Sequence, residues 1–334
     1  MRPSPSTHST TDIAGGDPAH GADLRTVVRR ELAQQPQLPL PGGGRTLDRW
    51  RALARLAGVD VCLVKVLEAH YDAQAIMAEL GHAPPPDDVL LAVWAAEPPD
   101  AQVHCMQRED VTRITGTKAW CSGARMVDAA LLTTRENSAV QLVCVDMREA
   151  GIAHDDSAWQ AVGMRRVISG RVGFADVHAL AVGKPGAYLD RAGFWHGGAG
   201  IAACWFGAAA AIAETLRTHP RTARDPHACA HLGAIDVALA GTAAHLRAIA
   251  ALIDDRPLEP HRVSVMRVRA LVERVCTEVI DRVGRALGPA PLCQDGAHAL
   301  RCADLAVFIR QSHAERDWAA LGEAAIERDA TWTL

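Results

Sequence analysis

The stretch FIRQSHAERDW, residues 308–318, crowds Ser312, His313, Glu315, Arg316 and Asp317 together near the C-terminus. A histidine titrates near neutral pH and serves as a general acid or base, so His313, with the Ser312 hydroxyl beside it, is a candidate for proton transfer. The competing reading makes Glu315, Arg316 and Asp317 the solvated face of a helix. A second stretch, GTKAWCSGARMVDAALL (116–132), sets a turn glycine and a lysine before Trp120, Ser122 and Gly123, ahead of an apolar run. Alone it is a weak motif, because a tryptophan on a β edge is more often a core residue. Two further groups have metal-like spacing: His227 and His231 with Cys229 between them, and Cys293, His298 and Cys302. No glutamate follows His227 in the zinc-protease manner, and packed cysteines and capping histidines account for both groups without a metal. The absence of a Gly-x-Gly-x-x-Gly after a strand, and of a phosphate loop, argues against a nicotinamide Rossmann domain and a nucleotide triphosphatase.

Such residues need elements to hold them. Residues 1–44 read as a disordered tail and linker: MRPSPSTHSTTDIAGGDPAHGAD has no apolar core, and LPLPGGGRT is rich in Pro and Gly. From 45 to 85, Leu47, Trp50, Leu53 and Leu56, then Val61, Leu63, Val66, Leu67, Ile76 and Leu80, recur at helical spacing. They predict two helices broken near Gly58 and Asp60 and ended by GHAPPPDD. From 86 to 184, short runs such as VLLAVWAAE and AVQLVCVDM alternate with Gly, Asp and Asn turns, which predicts a compact β domain. From 185 to 334 the pattern is helical. Val265, Val268, Val272, Val275, Val279 and Val283 fall on one face of a long amphipathic helix. The uncharged run Gly197–Ala213 is short for a membrane span and made mostly of Gly and Ala, so it reads as a buried, closely packed helix. The fold class is therefore α+β and multidomain: helical, then β, then helical.

Bulk properties fit a globular enzyme. The 334 residues are 49% hydrophobic and 22% charged, with a formal net charge of −4 and both signs mixed. No basic stripe of the kind that displaces counterions from nucleic acid is present. Nine scattered cysteines without a C-x-x-C pair argue for a reducing, cytoplasmic compartment. The N-terminus has no secretory signal pattern.

Taken in order, GTKAWCSGARMVDAALL, WQAVGMRRVISGRVGFADVHAL, VGKPGAYLDRAGFWHGGAG, GRALGPAP and RCADLAVFIRQ resemble the acyl-CoA dehydrogenase family over roughly residues 45–322. The resemblance implies an N-terminal helical domain, here shortened, a middle β-barrel-like domain and a C-terminal four-helix bundle. It implies FAD as cofactor, with Trp120 flanking the flavin ring and Ser122 donating a hydrogen bond to its reactive edge. It places Glu97 in the segment holding the pyrimidine end, and Gly288 at the motif that approaches the adenosine half. Arg224, favoured over Arg221, would face the diphosphate. Partners implied are a small-molecule substrate, an acyl thioester, and further copies of the chain in a homodimer or homotetramer, with no nucleic acid and no membrane.

The departures bear on the reaction. Ala96 replaces the family's threonine before Glu97, the Gly-Ser-Asp turn is absent, and LGPAP stands for the Gly-Gly-x-Gly motif. The usual catalytic glutamate falls on Ser312, and the alternative position, around 216–220, reads LRTHP. Three functions follow as expectations. One is FAD-dependent oxidation of a CH–CH bond in an acyl thioester, with His313 replacing the missing base. The second is a flavin-dependent monooxygenase, which needs no carboxylate base. The third is a non-catalytic flavin- or acyl-binding subunit.

Overall fold

The computed structural model describes residues 23–83, 85–108, 111–136, 139–327 and 331–332; the first twenty-two residues of the expected tail lie outside it. The second half of that tail is not a tail. Residues Leu24–Gln34 form a helix, α1, because Leu24, Val28 and Leu32 share one face and are buried. Arg29 then ties α1 to the middle region through Asp128 at 2.8 Å. The long α2 (Thr46–Val59) and α3 (Val61–Glu79) follow. Asp60 divides them: its backbone is extended, and its carboxylate accepts from the N–H groups of Cys62 and Leu63, capping α3.

Seven strands come next: β1 (Leu91–Trp94), β2 (Val103–Arg108), β3 (Val111–Ser122), β4 (Ala129–Glu136), β5 (Ala139–Asp146), β6 (Ile152–Asp155) and β7 (Ser169–Val182). The pairings β4–β2, β2–β3, β3–β7, β7–β5 and β5–β4 return to their start, so five strands close into a barrel. Closure leaves those strands without a free edge. Strand β1 joins β4 in parallel, and β6 lies along β7. His70 of α3 locks the helices to this sheet: its Nδ1 accepts from the N–H of Leu91 at 3.2 Å, and its Nε2 faces the Pro36 carbonyl at 3.4 Å. Burial lowers its pKa to about 4, so the ring is neutral with the proton on Nε2.

The C-terminal part holds α4 (Ala187–Asp190), α5 (Gly193–Thr218), α6 (Pro226–Asp255), α7 (Arg262–Leu287), α8 (Ala290–Gln294) and α9 (Gly296–Phe308). A 3-10 turn (Ile309–Gln311) and α10 (Glu315–Ile326) complete it. Helices α5, α6, α7 and α9 make the four-helix bundle. Helix α5 is the central one, with Ala199, Ala202, Cys204, Trp205, Ala208 and Ala209 fully buried between α2 and α7. Its small residues allow close approach: a Cβ on Gly207 would sit 2.1 Å from the Ala54 carbonyl oxygen. Both α5 and α6 are long and apolar enough to cross a membrane by length and composition. In α5 those residues form the core of the bundle.

Candidate active site between barrel and helices

A cavity of about 890 Å³ lies where the open end of the barrel meets α3, α5, α7 and the turn after α9. Its barrel wall is built from one irregularity. Strand β3 shifts register against β7 between Lys118 and Cys121, and the residue at the bulge, Trp120, has φ 59°. That left-handed conformation is strained for a bulky residue, and the residue remains 62% exposed, so packing does not explain it. The bulge turns Trp120 towards the cavity. Two residues on, Ser122 pairs with Ser169 of β7; their hydroxyls are 2.8 Å apart, and Trp94 donates to the Ser122 carbonyl at 3.2 Å. All four residues line the cavity.

Behind them is a buried charge relay. Lys118 is wholly buried and donates to the Thr133 carbonyl and hydroxyl at 2.6 and 2.7 Å. Burial pushes its pKa down to about 8, against the pull of Glu97 at 3.8 Å. Glu97 also binds Arg135 at 2.5 Å, yet its buried Oε1 has no hydrogen-bond donor. That atom is an acceptor waiting in the wall.

The helical wall carries more charge. Lys65 and Asp72 come from α3, Tyr188 and Arg191 from α4 and its end, Trp195 from α5, and Arg269 from α7. At the C-terminal side the chain breaks rather than continuing as one helix. The 3-10 turn closes at Gln311, and Ala314 takes φ 46°, so Ser312 to Ala314 form a tight turn. His313 lies on that turn and lines the cavity. Asp317 receives its backbone N–H at 3.2 Å and stands 3.5 Å from its Nδ1. Of the expected solvated face, Glu315 and Arg316 are exposed, whereas Asp317 turns into the cavity.

Of the residues picked from sequence, Glu97, Trp120, Ser122 and His313 therefore meet around one space. Ser312 lies behind His313, its hydroxyl accepting from the N–H of Ala314 at 3.3 Å. Arg224 is exposed in the loop before α6, and Gly288 caps the C-terminus of α7 with φ 70°; neither lines the cavity. Lys65, Asp72, Arg191 and Arg269 were missed. The signal in α3 was legible: Lys65, Glu68 and Asp72 interrupt an otherwise apolar, buried helix at helical spacing.

Of the two metal-like groups, the first leaves His227 and Cys229 exposed on α6, and the second is engaged in local contacts. His298 and Cys302 touch within α9 at 3.5 Å, and His298 also contacts the Thr215 hydroxyl, while Cys293 is exposed. A cluster of Asp60, Cys62 and Asp304 is likewise committed. Asp60 binds Arg166 at 2.6 Å, and Asp304 accepts from the Met164 N–H at 2.5 Å and from the Cys62 thiol.

No protein-family model matches the sequence, and no curated protein matches it. Solved structures do. FMN-bound TdsC from Paenibacillus sp. A11-2, a dibenzothiophene monooxygenase, aligns with a TM-score of 0.71 and 19% identity over 90% of this chain and 93% of its own. Methanesulfinate monooxygenase MsuC from Pseudomonas fluorescens gives 0.74 and 18% over 93% and 91%. A glutaryl-CoA dehydrogenase from Mycobacterium smegmatis, in complex with FADH2, gives 0.75 and 12% over 93% and 95%.

Proposed function

We propose that this chain, which has the acyl-CoA dehydrogenase-like fold, is a flavin-dependent oxidoreductase, and within that class a monooxygenase. The observation that carries the flavin reading is the bulge at Trp120. A strained, exposed indole beside the Ser122 and Ser169 hydroxyls is a poor structural choice and a good wall for a flat heterocycle. The donor set fits as well. Ser122 offers a hydroxyl, the orphaned Oε1 of Glu97 offers an acceptor for a ring N–H, and about 890 Å³ is within the range of small-ligand pockets.

The reaction is read from the acids. Dehydrogenation of an acyl thioester needs a base for the α-proton. Ser312 occupies the position of the family's glutamate, Glu97 is held by Arg135 and Lys118, and Asp317 is taken up by His313. A bound reduced flavin would supply two electrons, and with dioxygen as co-substrate one oxygen atom would enter the substrate while the other would leave as water. His313, oriented by Asp317, gives and recovers the proton at the cavity mouth. The aromatic wall of Trp94, Trp120, Trp159 and Trp195 keeps water away. Ala96, the missing Gly-Ser-Asp turn and Pro289 remove contacts to the phosphate and adenosine parts, which favours an exchangeable flavin over permanently held FAD. The dehydrogenase reading stays second, because it would have to use His313 with Asp317 in place of the carboxylate base.

The test is a spectrum followed by two assays. Purified protein is incubated with FMN or FAD and excess flavin is removed, then oxygen uptake is measured with supplied reduced flavin. Anaerobic bleaching by acyl-CoAs without oxygen uptake would overturn the monooxygenase reading in favour of the dehydrogenase. A chain that takes up neither flavin would overturn both and favour a non-catalytic subunit.

A further inference from the structure

Charges on the helical wall are not balanced evenly. Three cavity arginines have carboxylate partners: Arg135 with Glu97, Arg191 with Glu79, and Arg310 with Glu273. His313 has Asp317. Among the described residues, Lys65 and Arg269 have none within ion-pair distance. Arg269 only donates to the Gly198 carbonyl and lies over the Trp205 ring at 5.0 Å. Helix α5 passes Asp72 and Arg269 at two adjacent glycines. A Cβ on Gly197 would meet the Asp72 carboxylate at 2.5 Å, and one on Gly198 would lie 3.7 Å from Arg269. Gly197 thus leaves room for the Asp72 carboxylate beside the helix, whereas at Gly198 a Cβ would meet Arg269 only in ordinary contact.

We infer that Lys65 and Arg269 bind the head group of an anionic substrate, a small organic oxyanion such as a carboxylate or a sulfur oxyacid. The inference rests on the cavity being the flavin-dependent site proposed above and names the substrate class for it. A cation lining a partly dehydrated cavity without a counter-ion is stabilised strongly by one, and a guanidinium and an ammonium converging on a single oxyanion give charge-assisted hydrogen bonds. The internal acids do not fill that role. Glu68 is buried, and burial raises its pKa although Lys65 draws it down, so its charge offsets those of Lys65 and Arg269 only in part. Asp72 lies two turns along α3 from Lys65, with its buried Oδ1 unpartnered. It discourages a second negative group there and accepts from a donor elsewhere on the same ligand. The substrate is therefore a monoanion with an apolar body against the tryptophans.

Quenching of tryptophan fluorescence in the full-length protein measures this directly, with hexanoate, 1-hexanesulfonate and hexanamide as probes and FMN titrated in parallel. The wild type should bind at least one anion about tenfold tighter than the neutral amide. Lys65→Met and Arg269→Gln should each erase that preference, Lys65→Arg should keep it, and FMN affinity should change less than about twofold. The relative affinity of the two anions separates a carboxylate site from a sulfonate site. Equal binding of hexanamide by a wild type that takes up FMN overturns this inference alone. A fall in FMN affinity parallel to the loss of anion binding overturns it too, by assigning the cations to the flavin phosphate. Failure to bind either FMN or the anions overturns both this inference and the flavin reading.

Discussion

The two walls of the cavity are assembled in opposite ways. The barrel wall comes from short range in sequence: Trp120 and Ser122 lie two residues apart on one bulged strand, and Ser169 faces them from the neighbouring strand. The helical wall draws Lys65 and Asp72 from α3, Gly197 from α5, Arg269 from α7 and His313 from the turn before α10, segments spread over most of the chain. A local motif can hold a rigid, flat group through one backbone distortion. A dispersed wall can change its charges one at a time without disturbing that grip. On the proposed reading, the cofactor side and the substrate side of the site thus have different capacities to vary.

The comparison breaks most severely where the dispersed wall depends on packing. Gly207 lets α2 and α5 approach, with no room for a side chain beside Ala54. Gly207→Leu should lower the free energy of unfolding by about 3 kcal/mol, read by urea denaturation, because overpacking here moves backbone and not a flexible side chain. An unchanged midpoint would mean the helices are less tightly set than their geometry implies. Next in size is the catalytic step. His313→Ala should lower turnover about a hundredfold while leaving flavin binding intact, and Asp317→Asn should lower it less. Full turnover of the His313→Ala variant would remove His313 from the mechanism.

A pH dependence separates the walls further, since Glu68 and His70 titrate in opposite senses on one helix. The carboxyl of Glu68 is raised from an ordinary 4.5 to about 7 by burial, so the folded state holds a proton that the unfolded chain releases. Its contribution to stability is full below about 4.5 and disappears as pH rises through about 7. His70 is lowered from 6.5 to about 4, so its contribution is full above 6.5 and is lost as pH falls through 4. In urea midpoints measured from pH 4 to 8, Glu68→Gln should flatten the decline on the neutral side and leave the acid limb unchanged. A change on the acid limb alone would contradict the assignment to Glu68.

Legibility in the sequence follows the same division. The helical–β–helical order could be read because hydrophobic periodicity is local, and the Trp120–Ser122 stretch because its residues are consecutive. Helix α1 was hidden by its setting: it has three buried apolar residues in eleven, and their partners come from elsewhere in the fold. The break at Ser312–Ala314 was hidden because no proline or glycine marks it, and Ala314 adopts positive φ in a turn held by Asp317. Arg269 gave no sign, since its neighbours on α7 are ordinary amphipathic positions. Lys65 and Asp72 did give one, as charges within a buried helix. The meaning of Asp72 depended on Gly197 of α5 lying against it.

The smallest expected effect on stability is the most informative about the barrel wall. Trp120 combines φ 59° with 62% exposure, so its indole contributes little packing while its backbone stores strain. Asparagine tolerates the left-handed region far better than tryptophan. Trp120→Asn should therefore leave the unfolding free energy unchanged or raise it by about 0.5 kcal/mol, read by urea denaturation. The same variant should bind FMN about tenfold more weakly, because the flat wall is gone. Loss of stability together with unchanged flavin affinity would make Trp120 a packing residue after all. Gain in stability with loss of affinity would show strain retained for binding, which a core tryptophan has no reason to carry.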